Sequence, residues 1–422
     1  MTPLLFYYPK ENRYSINALL GVIEKFSEFY NISFPLYFFK NSEELKKGLR
    51  EITTLYQEAL LFISFLTPQF WKIKKLFEFL RDYKARCILL GGGPHVTAFP
   101  KKCLELGFDY VFIGEGEETL FSFLKHYFLK GEKKPHLKGL GYKERSQIQG
   151  KARPVSLDEF PPFSLKYNKI GPIEITRGCP FFCKYCQTPR LFGAKVRHRS
   201  IEKILFYAEA LLKKAIRDLR FITPNAFAYG SPDGKTLNLE ALNLLLSELH
   251  RLTQIYGGRI FFGSFPSEVR PEHVNEETIN LIKSYCANDN LVIGAQTGSE
   301  RMLEYLARGH TVEDVRRAVK LTLKAGLKAK VDFIFGLPGE SEDTLKETLS
   351  FMEELAHLGA IIHAHTFLPL PQTPFMKKTP EKLTPEILKF IKKYLPKGQI
   401  FGDWEKQRFL AEQISKELYN LS

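Results

Sequence analysis

The 422-residue sequence predicts an α/β protein in which a doubly wound parallel sheet precedes a partial (βα)6 barrel and a short helical tail. Two series of short apolar runs alternating with amphipathic stretches carry that expectation, and a polar segment rich in Gly and Pro divides them. The third observation is a set of three cysteines just behind the first apolar run of the second series. With 44% hydrophobic residues, 36 Phe and 19 Tyr, the chain has enough apolar surface to offset its ordering entropy, which excludes disorder. Six Cys are too sparse for a disulfide scaffold. No run approaches the ~18 apolar residues of a transmembrane helix. The start, MTPLLFYYPKENRY, puts Lys10, Glu11, Asn12 and Arg13 where a signal peptide's apolar region would continue, so a cytoplasmic protein is expected.

In residues 1–130 the apolar runs are LLFYY from Leu4, PLYFF from Pro35, ALLFISF from Ala59, CILL from Cys87 and YVFI from Tyr110. Helical patterns lie between them, such as Ile16 to Phe29 and Phe70 to Leu80. Continuous apolar strands separated by helices imply a five-stranded parallel sheet covered on both faces, with ligands at the carboxyl ends of its strands. Residues 131–170 read as a linker with a Pro-kinked segment at Phe160 to Phe163. Residues 171–370 hold the second series: IEIT at Ile173, LRFIT at Leu219, RIFFG at Arg259, LVIGAQ at Leu291, KVDFIFG at Lys330 and AIIHAHTF at Ala360. Helical stretches follow, notably Ser200 to Lys213, Asn238 to Gln254, Val312 to Leu323 and Glu342 to Ala356. Six such units suit an incomplete barrel better than a closed eightfold one. Residues 371–422 read as a helical, mildly basic tail.

The 61 Lys and Arg outnumber the 47 Asp and Glu, for a net charge of +14. Such a surplus suits nucleic acid, an anionic membrane surface touched peripherally, or an acidic substrate. Lys and Arg are mixed with Glu along most helical stretches, as in Glu43 to Lys47, so no basic stripe marks a nucleic-acid partner. A solvated surface of the thermophile kind explains the charge equally well.

The sharpest signal is EITRGCPFFCKYCQTPR, in which Cys179, Cys183 and Cys186 form a Cys-x3-Cys-x2-Cys set behind the first barrel strand. Three thiolates on one loop can ligate three irons of a four-iron cluster and leave the fourth iron without a protein ligand. Structural zinc takes four ligands, usually from two pairs, and no second pair lies downstream; Cys286 stands alone within a helical pattern. Cys87, Cys103 and Cys286 read as ordinary buried thiols.

With this spacing, and with an aromatic residue before the third Cys, the sequence resembles the radical SAM superfamily. The resemblance implies that Cys179, Cys183 and Cys186 hold a 4Fe-4S cluster whose open iron chelates S-adenosylmethionine, and that an external donor such as flavodoxin or ferredoxin reduces it. Tyr185 matches the aromatic that packs near the adenine, a place a core aromatic would fill as well. VIGAQTGSERMLEYLARGHT resembles the fourth-strand segment of the subgroup containing methylthiotransferases and cobalamin-dependent members. There Gln296 and Ser299 are placed for the ribose or methionine part, and Arg308 for the carboxylate. FIFGLPGES resembles the fifth-strand turn, where Gly336 and Gly339 allow close approach to the ligand. Asn225 stands where many relatives have a Gly-Gly-Glu turn contacting the methionine amine, a departure that leaves its role open.

The loop LLGGGPHVTAFP follows the fourth strand and IGEGEETL the fifth. No Gly-x-Gly-x-x-Gly follows the first strand and no Lys-Ser/Thr pair is present, which argues against a dinucleotide or nucleoside triphosphate. Both loops, and the segment SFLTPQ, resemble those of cobalamin-binding domains fused to radical SAM barrels. The resemblance places a corrin and its nucleotide tail against Ser64, Thr67, Gly92, Gly93, His95, Gly114 and Gly116. His95 reads more readily as a helix-start residue bonded to the loop than as a cobalt ligand. Cobalamin mutases and methionine synthase carry Asp-x-His-x-x-Gly after the first strand; YYPKENRYSIN has no His there, so no lower protein ligand on cobalt is expected.

The resemblance implies a cobalamin-dependent radical SAM enzyme, foremost a C-methyltransferase using methylcobalamin and a 5′-deoxyadenosyl radical. A cyclase or rearrangement enzyme using both cofactors without net methyl transfer stays open, as does a non-catalytic cobalamin or redox sensor. A methylthiotransferase would need a second three-Cys cluster in the amino-terminal domain, where only Cys87 and Cys103 occur. Ser264, Glu268 and Arg270 of FFGSFPSEVRPEHV lie where the third strand meets the barrel mouth and could orient substrate or cofactor; this stretch resembles an archaeal and thermophile subfamily. The substrate, whose identity the sequence leaves open, is expected between the two domains, in part against IIHAHTFLPLPQTPF. Alternation there puts Ile362, Ala364 and Thr366 on one side and His363, His365 and Phe367 on the other. His365, near the carboxyl end, is the candidate to bind substrate or relay a proton.

Overall fold

The computed structural model describes residues 2–143, 148 and 150–419. The chain divides into two compact units, one ending at Gly171 and the other beginning at Pro172.

In the first unit β1 (Leu4–Tyr7), β2 (Leu36–Phe39), β3 (Ala59–Ser64), β4 (Cys87–Gly92), β5 (Tyr110–Phe112) and β6 (Leu140–Tyr142) form one sheet in the order β2-β1-β3-β4-β5-β6. Strict alternation sends Leu5, Tyr7, Leu61, Ile63 and Leu89 into one core and Leu4, Phe6, Leu60, Phe62 and Leu90 into the other. That is why these strands read as unbroken apolar runs. The helix Arg13–Tyr30 covers the second face with Ile16, Leu20, Ile23 and Phe26. The helix Ser42–Leu55 covers the first with Leu45, Leu49 and Ile52, and starts at Asn41, whose side chain accepts from Glu44 N at 2.9 Å. The sheet has six strands rather than five. β6 lies inside the stretch read as a linker and runs antiparallel to β5, with Leu140, Gly141 and Tyr142 facing Phe112, Val111 and Tyr110. Three residues flanked by Gly and Lys carry too little periodicity to announce a strand.

The second unit contains β7 (Ile173–Glu174), β8 (Thr176–Arg177), β9 (Arg197–His198), β10 (Asp218–Ile222), β11 (Arg259–Phe261), β12 (Asn290–Gln296), β13 (Lys328–Phe335), β14 (Ile361–Thr366) and β15 (Ile400–Phe401). Two parallel sheets, β11-β10-β7 and β12-β13-β14-β15, make the barrel wall, and β8 and β9 form a small antiparallel ribbon. The chain beyond β11 joins the two sheets: Val269 N donates to Val292 O at 2.8 Å, and Gly294 N donates to Val269 O at 3.1 Å. Ser200, Asn238, Asn275, Thr311 and Ser341 each begin a barrel helix with a side chain accepting a backbone N–H, a contribution of ~1 kcal/mol apiece. The tail holds the helices Pro385–Tyr394 and Trp404–Gln413, and it also adds β15 to the barrel edge, with Ile400 beside Ile362 and Phe401 beside His363. Cys286 follows the helix Glu276–Tyr285 instead of lying in it.

Candidate active site: a three-thiol cavity at the barrel mouth

The loop between β8 and the short helix Thr188–Phe192 carries the three cysteines, all with free thiols. Gly178 starts it with φ +91, and a Cβ there would lie 2.3 Å from Lys195 O, so only glycine admits the turn. Backbone bonds fix the rest: Cys179 N to Gly193 O at 3.1 Å, Lys184 N to Leu306 O at 3.0 Å and Cys186 N to Cys183 O at 3.0 Å. Cys179, Cys183 and Cys186 line one cavity of about 600 Å³, together with Asn225, Glu268, Arg270 and Arg308 among others. Burial pushes the Cys179 thiol up to about 11 and raises that of Cys186 against an opposing bond from Thr188.

Two guanidinium groups sit in this cavity. Arg308 donates from Nη1 to Cys183 Sγ at 3.6 Å and from Nη2 to Gly294 O at 2.6 Å. Arg270 lies over the Phe181 ring, 3.4 Å from its centroid, and donates to Arg308 O. Glu268 completes the polar wall, its carboxyl pushed up to about 7 by burial and by the Asp332 charge against the pull of Arg308 and Arg270. A Cβ on Gly294 would lie 3.0 Å from Gln296 Nε2, 3.3 Å from Arg308 Nη2 and 3.4 Å from Glu268 Oε2, so these three side chains converge over the β12 end. There β12 bulges, and Gln296 takes φ +77, a strained conformation for a residue with a side chain.

These features fit an iron-sulfur cluster with a polar nucleoside beside it. Three thiols on one rigid loop match a cluster with one open iron, and Arg270 and Arg308 offset the charge of the thiolates. Ser299 Oγ and Arg308 Nε are buried without a hydrogen-bond partner among the described residues, a cost of about 1–3 kcal/mol each that a polar ligand removes.

Other candidate residues fall elsewhere. Asn225 lines the cavity, but its amide is committed: Oδ1 accepts from Arg270 N at 3.2 Å and Nδ2 donates to His273 Nδ1 at 2.7 Å, so it pins the Glu268 to His273 segment. Tyr185 packs against the apolar group of Met302, Leu306, Leu337, Phe367 and Phe375. Gly336 packs against its own chain. Its φ of +72 requires glycine, but the close approach is by the chain itself, since a Cβ would meet Glu381 O at 2.6 Å. His365 lies on β14 with its side chain 29% exposed, and Gln407 Nε2 donates to its Nδ1 at 3.3 Å. Gln407 and Asp332 escaped the sequence reading; Asp332 sits in the expected KVDFIFG strand, where a lone acidic residue in an apolar run was the available signal.

At the carboxyl edge of the first unit's sheet, Gly92 faces open space: nothing lies within 4 Å of a Cβ placed there. Gly93 has φ +91 and Gly114 φ +92, and Gly116 begins the helix Gly116–Leu124. Open backbone at Gly92 fits a wide cofactor, whereas a Cβ on Gly93 would meet Ser64 Oγ at 2.8 Å and Phe65 N at 2.9 Å, so that turn is packed by its own chain. Ser64 Oγ is 2.9 Å from Ser15 Oγ, and its carbonyl accepts from Asn12 Nδ2 at 2.6 Å. Thr67 and His95, expected against the corrin, meet each other, and His95 Nε2 is buried without a hydrogen-bond partner among the described residues. His95 is fully buried, 3.1 Å from Thr67 Oγ1 through Nδ1, among the rings of Phe65, Phe70 and Phe99. Burial, helped by Lys102, holds its pKa down to about 4, so the ring stays neutral and belongs to the core.

Comparison with known proteins agrees with this geometry. Residues 173–352 match the radical SAM superfamily and residues 47–124 match the B12 binding domain. The chain is 27% identical over 377 residues to the uncharacterized protein MJ1620 of Methanocaldococcus jannaschii, covering 78% of this chain and 72% of the relative. It is 26% identical over 324 residues to the uncharacterized methyltransferase PH0819 of Pyrococcus horikoshii, covering 73% of this chain and 66% of that one. Among solved structures, the radical S-adenosylmethionine methyltransferase TsrM of Kitasatospora setae superposes with a TM-score of 0.68 at 17% identity, over 90% of this chain and 75% of that one. Fold and sequence thus define an enzyme of the radical SAM superfamily. More particularly, the chain joins a radical SAM domain to a B12 binding domain, and its cofactors are a 4Fe-4S cluster, S-adenosylmethionine and cobalamin. No helix among the described residues is long and apolar enough to cross a membrane.

Proposed function

We propose that this enzyme is a C-methyltransferase, and that Cys179, Cys183 and Cys186 hold the cluster. The observation that carries the reading is the coexistence in one chain of a three-thiol cavity with buried unpartnered donors and a sheet edge opened by glycines. The name of the Pyrococcus relative, a methyltransferase, supports the same class. When bound, the cluster supplies the electron that cleaves S-adenosylmethionine to a 5′-deoxyadenosyl radical, and the cobalamin carries the methyl group. The protein's part is to bind and orient. Arg308 keeps a positive charge against Cys183 and offers its free Nε to a carboxylate, while Ser299 Oγ and the strained Gln296 face the nucleoside. Gly92 admits the corrin tail to the backbone of β4. A methylthiotransferase would need a second cluster in the first unit. Its cysteines, Cys87 and Cys103, are buried to 1% and 0% exposure with thiols pushed up to about 12, and they serve the core.

The test is incubation of the reconstituted, reduced enzyme with methyl-labelled S-adenosylmethionine in an extract lacking this protein. Label in a small molecule or polymer that depends on the added enzyme, together with 5′-deoxyadenosine, is expected. 5′-Deoxyadenosine without any labelled product would contradict methyl transfer.

A further inference from the structure

On the barrel's β13 and β14, Asp332, His363 and His365 form one polar cluster, each offering a nitrogen or oxygen within 4.8 Å of the others. The hydrogen bonds around them fix where the protons lie. His363 Nδ1 stands 2.7 Å from Asp332 Oδ1. A carboxylate only accepts, so this nitrogen carries the hydrogen and a neutral His363 keeps its lone pair on Nε2. For His365 the relay runs through the tail. Thr366 N can only donate, and it donates to Gln407 Oε1 at 2.7 Å. The amide of Gln407 is thereby oriented with Nε2 toward His365 Nδ1, 3.3 Å away. That nitrogen is therefore the acceptor, and a neutral His365 carries its hydrogen on Nε2, 3.8 Å from Asp332 Oδ1.

Two neighbouring rings, with centroids 4.1 Å apart, thus present opposite characters: a lone pair on His363 and an N–H on His365. Both side chains are about three-tenths exposed; His363 Nε2 has no hydrogen-bond partner among the described residues, and His365 Nε2 has only the long approach to Asp332 Oδ1 at 3.8 Å. Phe401 of β15 stacks on His363 at 4.4 Å and holds the ring in plane. Glu268, on the wall of the three-thiol cavity, feels the charges of both Asp332 and His365, so the cluster adjoins the site already described.

We propose that this cluster binds a hydroxyl group of the substrate, His363 Nε2 accepting its proton and His365 Nε2–H donating to its oxygen. A carboxylate, which only accepts, or an ammonium, which only donates, would satisfy one ring and leave the other without a partner. When the proton moves, the substrate O–H bond breaks, its electron pair stays on oxygen, and the N–H bond forms at Nε2. Asp332 is the positioning residue, since it fixes the tautomer and stabilises the resulting imidazolium. Two His and one carboxylate also make a common divalent-metal set; His363 has the tautomer such a ligand takes, but His365 has Nδ1 held by Gln407 and its hydrogen on the Nε2 that faces Asp332, so it offers a metal no lone pair beside that carboxylate. The assignment of a substrate to the cluster rests on the proposed methyl transfer; the proton placement does not.

Two measurements separate these. In the full chain labelled with nitrogen-15 in its histidine rings, with signals assigned through His363→Gln and His365→Gln, magnetic resonance at pH 8 should show His363 protonated on Nδ1 and His365 on Nε2. Asp332→Ala should release His363 from its single tautomer, and one equivalent of zinc ion should leave both rings unmoved. A His363 protonated on Nε2, or both rings shifted by stoichiometric zinc, would overturn the proposal. In the methyl-label assay His363→Gln should lower incorporation by about 100-fold or more at unchanged iron content, and incorporation at the wild-type level would equally overturn it. If the wild-type enzyme itself transfers no label, the methyl-transfer reading fails, and the ring tautomers decide the cluster.

Discussion

The two carboxyl edges that this chain offers to cofactors are built from opposite materials. In the first unit the edge is nearly bare backbone: Gly92 has open space over it, Gly93 and Gly114 turn with positive φ, and the one imidazole, His95, is neutral and sunk among phenylalanines. In the barrel the edge is side chain and charge: Glu268, Arg270 and Arg308 surround three thiols. The first arrangement offers a ligand space and backbone; the second offers it charge and hydrogen bonds.

The strongest way to break that contrast is to remove the thiols. Reconstituted wild-type protein should hold about four iron and four sulfide per chain, and replacing Cys179, Cys183 and Cys186 together by Ala should bring both to zero. A full cluster in that variant would mean the ligands lie elsewhere. Next comes His95. Cutting it to Ala removes a ring enclosed by Phe65, Phe70 and Phe99, which should cost about 3 kcal/mol of stability in denaturant unfolding. The electron paramagnetic resonance of the wild-type cob(II)alamin form should show no nitrogen splitting from cobalt. Nitrogen splitting that disappears in His95→Ala would place the imidazole on the metal.

Much of this was legible in the sequence because it is local. The apolar runs of β1, β3 and β4 alternate between two cores, so each run announces a strand, and the three cysteines declare their chemistry within eight residues. What escaped depends on contacts far along the chain. β15 is two residues long and exists because it pairs with β14, and Gln407 reaches His365 only because the tail folds back onto the barrel. Gly336 lies against Glu381, a neighbour 45 residues along the chain that its turn does not announce. The bond between His95 and Thr67 is likewise hidden, since a Gly-rich loop does not reveal which of its polar residues turn inward.

Two smaller effects sharpen the comparison. Gly92→Leu adds a side chain where the fold leaves room, so stability should hold while cobalamin affinity falls at least about tenfold, or ~1.4 kcal/mol. An unchanged dissociation constant by absorbance titration would remove Gly92 from the cofactor site. Glu268→Gln tests the charged edge through pH. The Glu268 carboxyl titrates at about 7 in the fold instead of 4.5. Its contribution to stability is therefore full below about 4.5 and lost as pH rises through 7. The variant should melt a few degrees above wild type at pH 8 and level with it at pH 4. The reverse order would mean that Arg270 and Arg308 hold this group ionised.

Whether one chain carries both a radical-generating cluster and a methyl-carrying corrin is decided by the products of S-adenosylmethionine cleavage. The enzyme loaded with cluster and cobalamin, and reduced, is given S-adenosylmethionine, and its cleavage products are separated. The account predicts both 5′-deoxyadenosine, from the three-thiol site, and S-adenosylhomocysteine, from methyl loss to cobalamin, with the second product absent when cobalamin is omitted. Intact S-adenosylmethionine, or S-adenosylhomocysteine formed equally without cobalamin, would contradict it.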